Sequence, residues 1–234
     1  NTKTDWFELR DARLQMTPWS RPNVDIAIAS TVSPTGATAA GRHGVGLLSI
    51  GATSQGGFNA LASNWGIAEK IAKENGNQVS RDDWRLVGPV HVAETREKAR
   101  ENVRFGLEKW LFYFREVAAL PLAPTDGSDP VDALIESGMA VIGTPDDCIA
   151  QIQRLQEQSG GFGTFLQMAH NWADFAETKR SYELIARKNR EGFIGEAMMA
   201  VGSRVAKHIE QHGTEDISPD VLAAMGINKT DAAE

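Results

Sequence analysis

The chain has 234 residues, 41% hydrophobic and 24% charged, which suits one globular domain or part of a larger one. Its net charge of -7, with no basic stripe, argues against a nucleic-acid surface, and no apolar run approaches the roughly 20 residues of a membrane-spanning helix. The one cysteine, Cys148, allows no internal disulfide and fits a reducing cytoplasm.

The N-terminus is polar and acidic, without the charged and apolar regions of a signal peptide. It opens on Asn1 rather than Met, which points to further sequence upstream. Phe7, Leu9, Ala12, Leu14 and Met16 alternate loosely, so residues 1–22 read as short extended pieces, steered by Pro18 and Pro22. Val24–Ser30 is an apolar run of strand length, predicted to be buried on both faces. A turn, Ser33-Pro34-Thr35-Gly36, leads into a short Ala-rich helix over Ala37–His43 and a second apolar run, Val45–Ile50. Strand, helix and strand in so few residues read as a tight parallel βαβ unit.

The turn lies where a strand's carboxyl end meets a helix N-terminus, a place where free N–H groups and the helix dipole hold phosphates. Ser33 and Thr35 offer hydroxyl donors, and Gly36 would allow close approach of a ligand. Either hydroxyl would serve equally as a plain N-cap.

Phe58–Asn75 is predicted to be a helix, with Leu61, Trp65, Ala68, Ile71 and Ala72 on one face and Gly76 as its C-cap. Ser80–Asp83 is turn-like. Trp84–Ala93 reads as a third buried strand, with a bulge or kink at Gly88-Pro89. Glu94–Ala118 reads as one long helix, capped by Thr95, with Val103, Leu107, Leu111, Phe114 and Ala118 on a stripe that faces the core rather than a partner. Leu120–Pro130 lacks periodicity and suits a lid.

Val131–Ser137 is a short helix. Thr144-Pro145-Asp146-Asp147 then begins another, running to Gln158, with Thr144 as N-cap, Pro145 at the first helical position and two carboxylates on the dipole. Cys148 falls on its buried face and reads as a small core residue rather than a nucleophile. Phe162–Ala169 is the fourth buried strand, followed at once by His170-Asn171-Trp172. A long helix over Phe175–Gln211, breaking near Gly192 or Gly195, and a polar mobile tail complete the chain.

Four strands, each followed by helix, are half of a (β/α)8 barrel, an α/β fold whose chemistry lies at the strands' carboxyl ends. Four strands do not close a barrel, so the rest must come from upstream sequence or a barrel-completing chain. His170 is the histidine best placed to act, and Trp172 is either a site residue or a packing residue. His91 reads as a hydrogen-bonded residue in or near the core, and His43 as a helix-end cation. His208 and His212, four apart without a third ligand, read as solvated, as do Glu101 and Lys109. No Ser/His/Asp set, carboxylate pair or metal constellation is present.

The segments DIAIAS, SPTG and AAGRHGVGLLS, with VIGTPDDCIAQIQRLQEQSG and GTFLQMAHNW downstream, resemble the luciferase-like flavin monooxygenases, most of all the limonene-monooxygenase type of terpene and alkene oxygenases. The resemblance covers Asp5 to Lys188. It implies a (β/α)8 barrel whose second half spans residues 1–212, with 213–234 as tail. It further implies FMN, its phosphate held by Ser33, Thr35 and Gly36, with Ala29 and Ser30 ending the strand beneath the flavin. Met168 would then meet substrate, and His170 and Trp172 would lie beside flavin or substrate. The catalytic His and phosphate-binding Arg of the family come from the first half and have no match here.

The implied reaction is two-component: a separate flavin reductase supplies reduced FMN, and O2 serves to epoxidise or hydroxylate a small hydrophobic substrate. A homo-oligomer or a barrel-completing chain is the expected assembly. Two other readings keep the same residues: a deazaflavin-dependent oxidoreductase, or a non-catalytic half-barrel that pairs with another chain.

Overall fold

The computed structural model describes residues 1–13, 15–16, 18–19, 24–119, 122 and 127–188. In chain order the strands are β1 (Thr2–Lys3), β2 (Glu8–Leu9), β3 (Ala27–Ser30), β4 (Gly46–Ser49), β5 (Trp84–Val92), β6 (Val141–Gly143) and β7 (Thr164–Met168). The helices are α1 (Thr35–His43), α2 (Gln55–Glu74), α3 (Arg96–Val103), α4 (Leu107–Phe112), α5 (Pro130–Glu136), α6 (Pro145–Ser159) and α7 (Phe175–Lys188). A 3-10 turn over Arg81–Asp83 precedes β5, and a π-helical turn over Tyr113–Val117 follows α4.

The chain divides into two compact units. Among the described residues, the first holds Asn1–Gly88, Ser137–Met139 and Ile152–Met168; the second holds Pro89–Glu136, Ala140–Gln151 and residues 169–188. The boundary passes within β5, between Gly88 and Pro89, and within α6.

In the first unit β3, β4 and the start of β5 run parallel, with Ala27 opposite Gly46 and Leu47 opposite Trp84. β7 also pairs with β5. The core gathers Ala37 and Ala40 of α1, Leu61, Trp65 and Ala68 of α2, Leu47, Trp84, Leu86 and Leu155. The Trp65 and Trp84 rings stack at 4.9 Å, and Trp84 Nε1 donates to Ser49 Oγ at 3.0 Å. Burying each large side chain of this kind contributes about 1.5–3 kcal/mol. A Cβ at Gly41 would stand 2.4 Å from the Ala68 carbonyl oxygen, so this glycine sets how closely α1 and α2 pack. Arg81 lies over Trp65 and donates to the carbonyls of Ser159 and Gly161, which satisfies orphan acceptors at the end of α6.

In the second unit the end of β5 runs parallel to β6, with His91 opposite Ile142. Ser181 Oγ of α7 accepts from Val92 N–H at 2.9 Å, which ties that helix to the strand.

Several expectations change. Val24–Ser30 narrows to β3, and Ala29 is exposed, as are Val24 and Ile26. The cause is position: among the described residues β3 pairs only with β4, so it is an edge strand. The fourth predicted strand also narrows, to β7, with Thr164 and Leu166 exposed. The sheet holds five strands rather than four among the described residues, because Val141–Gly143 is a buried strand too short for periodicity to reveal.

β5 is one strand through Gly88-Pro89, as expected for Trp84–Ala93. Helix 94–118 is two helices and a π-turn, broken at Gly106. There the Gly106 N–H donates to the Trp172 carbonyl at 2.8 Å, and a Cβ would meet the Asn171 oxygen at 1.9 Å. α2 starts three residues before the predicted Phe58, because Ser54 Oγ caps it by accepting from Gly57 N–H.

The capping signals at Thr95 and Thr144 are realised. Thr144 and Asp147 form a reciprocal box, Thr144 N–H donating to Asp147 Oδ2 at 2.8 Å and Asp147 N–H to Thr144 Oγ1 at 3.4 Å. Leu14 and Pro22, most of the predicted 120–130 loop, and all beyond Lys188, including Gly192, Gly195, His208, His212 and the 213–234 tail, lie outside the described residues.

Candidate functional site

In the first unit the site candidate is the junction of β3 and α1. Ser30 ends the strand and is buried at 4% exposure, and its Oγ has no hydrogen-bond partner. A buried hydroxyl without a partner costs about 1–3 kcal/mol, so it marks a place where something else would bind. Five residues on, α1 begins at Thr35 after Pro34, and no side chain caps it. The first turn carries no acidic residue. Its free N–H groups and positive dipole end are therefore available to an anion. Ser33 and Thr35 are exposed here, and neither serves as the N-cap that the sequence also allowed.

Gly36 packs closely on the strand end. A Cβ there would lie 2.4 Å from the Ala29 carbonyl oxygen and 2.9 Å from Ser30 Cβ. The glycine is needed so that the start of α1 can rest on the end of β3, against Ala29 and Ser30. Asn64 of α2 fixes the turn by donating to the Thr31 carbonyl at 3.1 Å. Met168, half-buried, closes β7 in this unit.

In the second unit His170 and Trp172 are stacked, with ring centroids 4.1 Å apart and planes 16° from parallel. His170 Nε2 lies 3.0 Å from the Val90 carbonyl oxygen, which can only accept, so Nε2 carries the proton. Its Nδ1 accepts from Trp172 N–H at 3.4 Å. Both ring nitrogens are thus engaged, the ring is neutral, and burial lowers its pKa. Trp172 is fully buried, its Nε1 without a hydrogen-bond partner, and it meets Trp110 edge-on at 5.0 Å.

Near them lies a polar chain. His91 is 1% exposed, and its Nε2 is 3.3 Å from Asn102 Nδ2. The same Nδ2 donates to Glu177 Oε2 at 2.9 Å. Burial, above all, pushes the His91 pKa down to about 4. Elsewhere in this unit Cys148 is buried, and burial pushes its thiol up to about 11, as befits a core residue. Arg96 holds the Asp147 carboxylate down to about 2.

The structure thus brings Ala29, Ser30, Ser33, Thr35 and Gly36 together at one junction, and His170 and Trp172 together at another. Asn102, Glu177 and Asn64 were missed, because a lone Asn or Glu on a helix carries no pattern. The one available signal was His91 inside an apolar strand, which requires a buried partner. Among the described residues no group of three or more His, Cys, Asp or Glu side chains is placed to hold a metal, and no helix is long and apolar enough to cross a membrane.

Comparison with known proteins gives consistent matches. The sequence model of the family described as luciferase-like monooxygenase matches residues 3–161. Limonene 1,2-monooxygenase of Rhodococcus erythropolis is 46% identical over 95% of this chain and 56% of that protein. The 4-hydroxyprotoasukamycin monooxygenase of Streptomyces nodosus subsp. asukaensis is 38% identical over 79% and 51%. Among solved structures, the oxygenating constituent of 3,6-diketocamphane monooxygenase from Pseudomonas putida, in complex with FMN, superposes with a TM-score of 0.55. It is 26% identical and covers 72% of this chain and 48% of that one. The chain spans about half the length of the curated relatives it matches.

Proposed function

Because the chain belongs to the luciferase-like monooxygenase family, an α/β fold of the (β/α)8 barrel type, we propose that it serves an FMN-dependent monooxygenase oxidising a small hydrophobic molecule, a terpene or alkene. A separate reductase delivers the reduced flavin. The observation that carries this reading is the uncapped N-terminus of α1 together with the unpartnered, buried Ser30 hydroxyl at the end of the strand it packs on. These residues fit a phosphate: an uncapped helix N-terminus follows a strand end with an unpartnered hydroxyl, and no carboxylate in the first turn repels an anion. Ser33 and Thr35 add hydroxyls to the same anion, while Ala29 and Gly36 shape the backbone that carries them. Two of the three named relatives, limonene 1,2-monooxygenase and 3,6-diketocamphane monooxygenase, are named for small hydrophobic compounds, which supports an apolar substrate.

FMN, when bound, supplies the oxygen chemistry, with two electrons from the reductase and one oxygen atom from O2 passing to the substrate. The protein's share is to grip the phosphate, line the reaction space and exclude water. In this reading His170 and Trp172 are positioning residues. The ring of His170 has no free nitrogen for proton transfer, and Trp172 has no exposed surface. Met168, at the end of β7, is assigned to the substrate side.

The test is a fluorescence titration of the chain with reduced FMN and reduced riboflavin under anaerobic conditions. FMN is expected to bind at least about tenfold more tightly, the worth of one or two charge-assisted hydrogen bonds, and Thr35→Ala should erase much of the difference. Equal binding of the two flavins would remove the phosphate site. Preferential binding of a deazaflavin, without O2 consumption, would favour hydride transfer instead.

A further inference from the structure

At the end of α2, in the first unit, the chain carries a dipeptide that can modify itself. Among the asparagines of the sequence only Asn75 is followed by glycine. Without a Cβ, Gly76 presents the least hindered backbone nitrogen that can follow an asparagine. That nitrogen can attack the Asn75 side-chain amide carbon. The new N–Cγ bond closes a five-membered succinimide, the Cγ–Nδ2 bond breaks, and ammonia leaves with the proton of the Gly76 amide. Water then opens the ring at either carbonyl, giving aspartate or isoaspartate. The sum is amide plus water to carboxylate plus ammonium, and nothing is oxidised or reduced.

The turn is exposed, with Asn75 as the C-cap of α2 and Gly76 left-handed beyond it at a φ of 70°. Hydrogen bonds hold it shut. Asn75 Nδ2 donates to the Ile71 carbonyl at 2.8 Å, which ties up the side-chain amide. The Gly76 N–H donates to the Lys73 carbonyl at 3.2 Å, which ties up the attacking nitrogen. The Asn77 N–H donates to the Ala72 carbonyl at 2.8 Å. Asn77 Nδ2 crosses to the last turn of α1 and donates to the Arg42 carbonyl at 2.8 Å. Ring closure therefore waits for the turn to open, and helix ends open at low free energy.

We propose that Asn75 is a site of spontaneous deamidation, and that Asn77 sets its rate by pinning the Asn75-Gly76 turn to the end of α1. The change is not silent. A carboxylate at position 75 cannot donate to the Ile71 carbonyl, and it puts negative charge at the negative end of the α2 dipole, next to Glu74. Isoaspartate also lengthens the backbone by a methylene, which moves Asn77 out of register with its acceptors on Ala72 and Arg42. Each event thus removes ties at the ends of α1 and α2 for good.

The test is incubation of the full chain and of Asn77→Ala in mildly alkaline buffer. Amide loss is followed by peptide mass mapping, and isoaspartate by labelling with an isoaspartyl methyltransferase. Asn75 should lose its amide before any other asparagine, with isoaspartate among the products. Asn77→Ala should react at least about threefold faster, the worth of one side-chain hydrogen bond in the opening equilibrium. The native chain unfolded in urea should also react faster than the folded one. Earlier reaction at another asparagine removes the site, and aspartate without isoaspartate removes the ring closure. Equal rates in the native and Asn77→Ala chains remove the pin. If Asn77→Ala does not fold, the urea comparison decides alone: a slower folded chain upholds the gate, and equal folded and unfolded rates overturn it.

Discussion

Ser30 is the residue at which stability and function part. Its buried hydroxyl has no partner, so Ser30→Ala should leave the chain as stable or more stable by about 1 kcal/mol, while weakening FMN relative to riboflavin. Urea unfolding and the flavin titration together check both halves; a destabilised variant with unchanged flavin binding would make Ser30 merely structural. Gly106 has no such freedom. Its Cβ position is occupied by the Asn171 carbonyl oxygen, so Gly106→Ala should cost about 2–4 kcal/mol, read as a lower urea midpoint. Nothing in the sequence announced this constraint, because the colliding atom belongs to a residue 65 positions away. Ser33, Thr35 and Gly36 were legible as a group, since a strand end, a turn and a helix start lie within a few residues. The unpartnered state of Ser30 was not, because it depends on what packs above the hydroxyl.

At the scale of elements, α6 shows how local chemistry fixes a helix. Thr144, Pro145 and Asp147 identify its start from sequence alone, and the reciprocal hydrogen bonds follow. The Arg96 partner of Asp147 comes from α3 and was invisible to any local pattern. Asp147 sits below its ordinary value, at about 2 against 3.8. Its stabilisation is therefore complete above pH 4 and is lost as pH falls toward 2. Its side chain is 28% exposed, so about 1–2 kcal/mol is at stake. Urea midpoints measured from pH 5 to 2 should fall more steeply in the native chain than in Asp147→Asn. The break between α3 and α4 was missed for the opposite reason. An apolar stripe continues through Val103, Leu107 and Leu111 at helical spacing, and only the tertiary contact at Gly106 interrupts it.

For the molecule as a whole, the outermost strand is where association with other chains would register. In the parallel register the C=O groups of Ile26 and Ser30 accept from β4, so Ile28 and Ser30 turn their amides toward β4, and Ala27 and Ala29 turn theirs away. Hydrogen exchange should be slow at Ile28 and Ser30 and fast at Ala27 and Ala29. Slow exchange at the two alanines would mean that another strand covers this edge. Cys148 gives the chain a further experimental property. A thiol that is buried and ionises only near 11 is almost inert to alkylating reagents while the helix start around it is folded. Because the sequence has no second cysteine, each modification event dates one opening of α6. The native chain therefore carries its own unfolding clock, which mass spectrometry can read without an engineered probe.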